Sequence, residues 1–122
     1  MSLLVDTSVW SLALRRQATQ PQPPEVLALR EAILGADQVF VTGQVLQELL
    51  QGFAGPKDSA RIIEHFAALG CVQPDRQDHI EAAELRNTCR RGGVQIGTID
   101  ALLIQLCRRH DLTLLSTDPD FR

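Results

Sequence analysis

Four acidic residues carry the chemistry this chain could perform: Asp6 in LLVDTSVW, Glu48 in VLQELLQG, Asp100 in GTIDALLIQLC and Asp118 in LLSTDPDF. Each stands where an α/β chain would bring strand ends together. Two like charges about 4 Å apart repel by roughly 4 kcal/mol at an effective dielectric of about 20, so four converging carboxylates need a counter-ion. Hard oxygen donors without His or Cys beside them suit Mg2+ or Mn2+. Such an ion makes a nucleophile of water near neutral pH and stabilises charge on a phosphoryl oxygen.

Each acid also has a plain structural reading. Asp6 before Thr7 and Ser8 has the form of a helix N-cap, and Asp100 in a first helical turn favours the helix dipole. Asp118 before Pro119 can open a turn, and a lone Glu48 on a helix is commonly solvated. Only their joint placement favours chemistry.

The elements that must position them follow from spacing. Residues 3–5 are an apolar run ending at Asp6, and Val9, Trp10, Leu12 and Ala13 then recur with helical period. Prolines 21, 23 and 24 interrupt that helix. Helical spacing resumes through Val26, Leu29 and Ile33, and residues 39–41 form a second short strand. Thr42 and Gly43 open a helix with Val45, Leu46, Leu49, Leu50 and Phe53 on one face, broken by Gly52, Gly55 and Pro56. Residues 58–69 form another, using Ile62, Ile63, Phe66 and Leu69. Residues 71–73 are a weaker strand. A long helix from Asp75 toward Arg91 is expected to bury Ile80, Ala83 and Leu85 and to stop at Gly92-Gly93. Thr98 is expected to cap a helix with Ile99, Leu102, Leu103, Leu106 and Cys107 as its apolar stripe, before a last strand at 112–115. Short strands alternating with helices imply an α/β fold, with a parallel sheet of about four strands covered on both faces.

Bulk properties narrow the class. At 122 residues, with 44% apolar and 22% charged residues, the chain suits one soluble domain, 1–122. No apolar stretch is long enough to cross a bilayer, so a cytoplasmic protein is expected. Three separated cysteines, Cys71, Cys89 and Cys107, suggest buried thiols, with neither a disulfide framework nor a zinc site. The net charge of −3 is not that of a typical nucleic-acid binder, although acids that hold a metal lower the formal count. His65, His79 and His110 are expected on the surface or rim. Arg15-Arg16, Arg90-Arg91 and Arg108-Arg109 stand near helix ends, where cations favour the dipole.

The segments LLVDTSVW, QELLQG and GTIDALLIQLCRRHDLTLLSTDPDF resemble, in order and over nearly the whole chain, a PIN-domain ribonuclease, and most of all the VapC toxins of bacterial toxin–antitoxin pairs. The resemblance implies a PIN-like three-layer fold and an acidic site at Asp6, Glu48, Asp100 and Asp118. Thr7 and Thr117 match positions whose hydroxyls support those carboxylates, and Asp120 matches a secondary place. It further implies Mg2+- or Mn2+-dependent cleavage of RNA, a homodimer, and silencing by a VapB-type antitoxin, with Trp10 either a contact or core. Arg90 and Arg91 are the preferred pair to hold the RNA backbone. The sequence stops at Arg122, where relatives usually continue through a further short strand.

Two other classes compete. Phosphotransfer and phosphatase domains also place Asp at strand ends with Mg2+, but one kind wants an Asp where Ser8 stands. The other wants an acid pair after the first strand and a late lysine, and Lys57 is the only lysine. A PIN-like module kept for binding alone would be marked by loss of an acid, and none is lost.

Overall fold

The computed structural model describes residues 2–15, 22–35 and 38–117. Its elements run β1 (Ser2–Val5), α1 (Thr7–Leu14), α2 (Pro24–Leu34), β2 (Gln38–Thr42), α3 (Gly43–Gly52), α4 (Pro56–Ala67), β3 (Gly70–Val72), α5 (Arg76–Arg91), α6 (Thr98–His110) and β4 (Thr113–Leu115). The strands form one parallel sheet in the order β3-β2-β1-β4. The chain steps outward from β1 to β2 and β3, then crosses back to place β4 on the far side of β1. Strand order therefore reverses between β1 and β4, and every strand ends on the same edge.

Alternation along the strands divides the core in two. Leu3, Val5, Val39 and Val41 pack with Val9, Trp10, Leu29, Val45, Leu49, Ile62 and Phe66 from α1–α4. Leu4 faces the other way, onto Leu103, Leu106 and Cys107 of α6, with Phe40 and Leu114 beside it. Both faces are covered, as a parallel sheet requires. At the sheet margin Phe40 pairs with Gly70, and a Cβ there would collide with the Phe40 ring, so only glycine allows the approach. Among the described residues no helix is long and apolar enough to cross a membrane.

Several local expectations hold. Thr42 caps α3, its Oγ1 accepting from Val45 N at 3.1 Å. Gly93 adopts a positive φ of 84° after α5, a conformation that suits glycine. Trp10 is core, its ring 4.7 Å from that of Phe66, which removes it as a surface contact.

Other expectations are corrected. α5 does not bury Ile80 and Ala83, which are exposed; it buries Asp78 and Ala82, and Leu85 is half-buried. The sequence pattern favours the face richest in apolar residues, but pairing of Asp78 across to α6 rotates the helix. Gly97, not Thr98, is the N-cap of α6. Ile33 and Ile63 are exposed. Of the cysteines only Cys107 is buried, and burial pushes its thiol up to about 11; Cys71 is exposed and Cys89 half-buried.

Candidate functional site

At the β1–β4 switch point, the place where open parallel sheets form their binding crevice, stands Asp6. Its backbone N–H donates to Leu115 O at 3.0 Å, which ties the end of β1 to the end of β4. The residue leaves β1 extended and caps α1, Oδ1 accepting from Thr7 N at 2.8 Å. Oδ2 accepts from Ser8 Oγ at 3.1 Å and from Ser116 Oγ at 2.8 Å. Thr117 N donates to Ser8 Oγ at 3.2 Å, closing the loop after β4 onto the start of α1. The cap reading and the functional reading of Asp6 are therefore compatible.

Two carboxylate oxygens offer about four acceptor positions, and described residues take three, so among them Asp6 keeps room for one more electrophile. Among the described residues its donors are Thr7 N and the hydroxyls of Ser8 and Ser116. Thr7 gives its backbone N–H, while its Oγ1 is buried without a hydrogen-bond partner among the described residues. Thr117 likewise acts through its backbone. Ser8 and Ser116 hold the carboxylate with their hydroxyls, Ser116 across more than a hundred residues.

Asp100 reaches the same edge by a different route. α6 feeds β4, so its first turn lies at the level where the strands finish, and Asp100 is in that turn, half-buried. A Cβ placed on Gly97 would stand 3.5 Å from Asp100 Oδ2, so the carboxylate leans over the N-terminus of its own helix. α3 also starts at this edge, directly after Thr42. Glu48 lies five residues in, about 7 Å along the helix, and its side chain is exposed. Asp118 and Asp120 lie outside the described residues. Among the described residues no three acidic, His or Cys side chains come together closely enough to share a metal ion.

The basic pairs separate. Arg91 donates to Thr88 Oγ1 at 3.1 Å, whereas Arg90 lines a cleft of about 410 Å³ with Arg86, Val94, Gln95, Ile96 and Gly97. Arg109, at the far end of α6, forms ion pairs with Asp75 at 3.1 Å and with buried Asp78. Asp78 also accepts from Asp75 N at 2.9 Å and from Gln105, which donates to Glu81 as well. Burial alone would raise the Asp78 pKa; the Asp75 N–H, Gln105 and Arg109 outweigh it and hold the carboxyl below its ordinary value. His65, His79 and His110 are exposed, as expected. Arg16 lies outside the described residues.

A parallel sheet with its order reversed at β1, Asp6 at that point and Asp100 in the first turn of the helix that feeds β4 define the α/β architecture on which the comparisons bear. The PIN domain family profile matches residues 3–122, and this chain belongs to that family. Solved structures share the fold. VapBC2 from Rickettsia felis, bound to a promoter DNA fragment, aligns with a TM-score of 0.74 at 19% identity, over 99% of this chain and 91% of that one. FitAcB from Neisseria gonorrhoeae aligns with 0.74 at 24% identity, over 95% and 87%. VapC20 from Mycobacterium tuberculosis, described as a Sarcin-Ricin loop cleaving toxin, aligns with 0.69 at 18% identity, over 98% and 92%. No curated protein matches the chain.

Proposed function

We propose that this protein is a metal-dependent endoribonuclease of the VapC toxin kind, acting in the cytoplasm as a homodimer and restrained by a VapB-type antitoxin. The observation that carries the reading is Asp6: a half-buried carboxylate at the switch point, held by Thr7 N, Ser8 and Ser116, with acceptor capacity left over. Membership of the PIN domain family supports the nuclease class, and toxin–antitoxin complexes among the structural neighbours support an antitoxin partner.

Asp6, Asp100 and Asp118, with Glu48, would hold Mg2+ or Mn2+, which supplies charge neutralisation at the phosphoryl oxygens and acidifies an attacking water. The all-oxygen donor set fits such an ion. The chain's own residues do the positioning. Ser8 and Ser116 fix the Asp6 carboxylate in one orientation, and Thr117 N holds Ser8 in turn. Thr7 and Asp120 stand beside this set in sequence. Arg90, with Arg91 behind it on α5, would retain the RNA backbone without reading its bases. No histidine is needed as a general base.

The test is cleavage of a mixed RNA pool by the purified protein. Chelator should abolish it, added Mg2+ or Mn2+ should restore it, and Asp6→Asn should remove it while the melting temperature persists. Activity that survives both chelator and Asp6→Asn would defeat the reading. A binding module without catalysis draws on one observation, the exposure of Glu48 on α3. Full cleavage by Glu48→Gln with loss in Asp6→Asn would leave Glu48 out of the site and keep the nuclease.

A further inference from the structure

We infer that Arg86 and Arg90, with the 94–97 loop, form a docking cleft for a backbone phosphate of single-stranded RNA beside the acidic edge. The inference rests on the nuclease reading and adds to it Arg86, a residue that reading does not use. α5 and α6 run as an antiparallel hairpin, so the last turns of α5 stand beside the first turn of α6. Arg86 and Arg90 are four residues apart and share one face of α5. Both line the cleft of about 410 Å³ whose opposite wall is Val94, Gln95, Ile96 and Gly97. Gly97 is also the residue over which Asp100 leans, so cleft and acid are neighbours.

Charge makes the cleft a site for an anion. Arg86 is half-buried and its Nε donates to Ile96 O at 2.9 Å, which fixes the guanidinium plane and leaves its terminal nitrogens for the cleft. Among the described residues, neither Arg86 nor Arg90 has a carboxylate in ion-pair range. Like charges at this spacing on a helix destabilise it, and a phosphate between them would reverse the sign. Arginine forks suit phosphate oxygens, and an anion seated here stands one short step from the acidic edge. A free phosphate could satisfy the same two forks, but a strand that passes the acids gains both contacts at once.

The test measures binding apart from cleavage. In an Asp6→Asn background, the affinity for a short labelled single-stranded RNA of mixed sequence is followed against salt. Each phosphate neutralised contributes about 0.7 to the slope of log affinity against log salt, so losing the one phosphate in Arg86→Gln/Arg90→Gln should flatten it by about 0.7, and Arg90→Gln alone should flatten it by part of that. Arg86→Lys should keep the slope, because it keeps the charge and loses only the fork; a purely structural Arg86 would make Lys and Gln alike. In the cleaving parent, Arg90→Gln should raise KM and hold kcat. Arg108→Gln, at the other end of α6, should change neither, and excess inorganic phosphate should compete weakly. An unchanged slope in the double variant, in protein that melts as the parent does, overturns the cleft. So does an equal loss in Arg108→Gln. If the parent cleaves RNA while the double variant binds as before, the cleft alone falls. If the parent neither binds nor cleaves, the nuclease reading falls with it.

Discussion

The two ends of the α5–α6 hairpin treat charge in opposite ways. At one end Arg109 meets Asp75 and Asp78, Asp78 meets Gln105 and the Asp75 N–H, and Gln105 meets Glu81; the charges there are answered from within the chain. At the other end acids stand at the edge around Asp6 and Asp100, while Arg86 and Arg90 face a cleft without a carboxylate in ion-pair range among the described residues. Answered charge holds two helices in register. The two arginines, without a carboxylate in ion-pair range among the described residues, are what a ligand can use. The first end is a structural cluster, and the second is the end that the proposed function uses, with Asp6 added to it from the β1–α1 junction.

The largest effect that could break the comparison is at Asp6. Asp6→Asn keeps an oxygen to accept from Thr7 N, so the fold should persist while RNA cleavage falls to background. Retained cleavage in a gel assay would remove the functional end. Added Mg2+ should raise the melting temperature of the parent and not that of this variant, since only a state that binds is stabilised.

Next is Arg109→Ala, which leaves the Asp78 carboxylate buried with fewer partners. A fully buried pair loses about 3–5 kcal/mol on such a cut, and the half-exposed Arg109 side chain brings the expected loss down to roughly 2 kcal/mol. Denaturant unfolding measures it, and cleavage per folded molecule should be unchanged. A stable variant with lost cleavage would invert the assignment of the two ends.

The same cluster sets an acid limit. The folded pKa of Asp78 is below 3.8, so its contribution is fully present above that ordinary value and is lost as pH falls through the lower folded one. Melting followed downward from pH 5 should show a loss of stability beginning near pH 4, and the loss should be smaller in Asp78→Asn. The smallest effect is expected for Arg108→Gln: its side chain is exposed, and stability should move by less than about 0.5 kcal/mol with cleavage intact.

Much of this was legible in the chain. The strand and helix order is written in apolar runs and breakers, Asp6 directly follows β1, and Asp100 is in the first turn of α6, as the pattern implies. α5 was not legible in its facing, because periodicity searches for apolar residues and the buried partner here is Asp78. Ser8 and Ser116 were passed over for the threonines beside them, since hydrogen-bond geometry across more than a hundred residues leaves no local trace. The arginine pairs look alike as text. Only the packed hairpin separates Arg90, on a cleft, from Arg91, tied to Thr88, and from Arg109, spent on two aspartates.

Local chemistry is enough to determine which segments become strands and helices and which residue types could hold a cation, because propensity, capping and breaking act over a few neighbours. Which charges are neutralised inside the molecule and which are left facing outward was decided by tertiary structure alone. Electrostatic energy depends on distances through space, and those exist only once the β1–β4 crevice and the α5–α6 pair have closed.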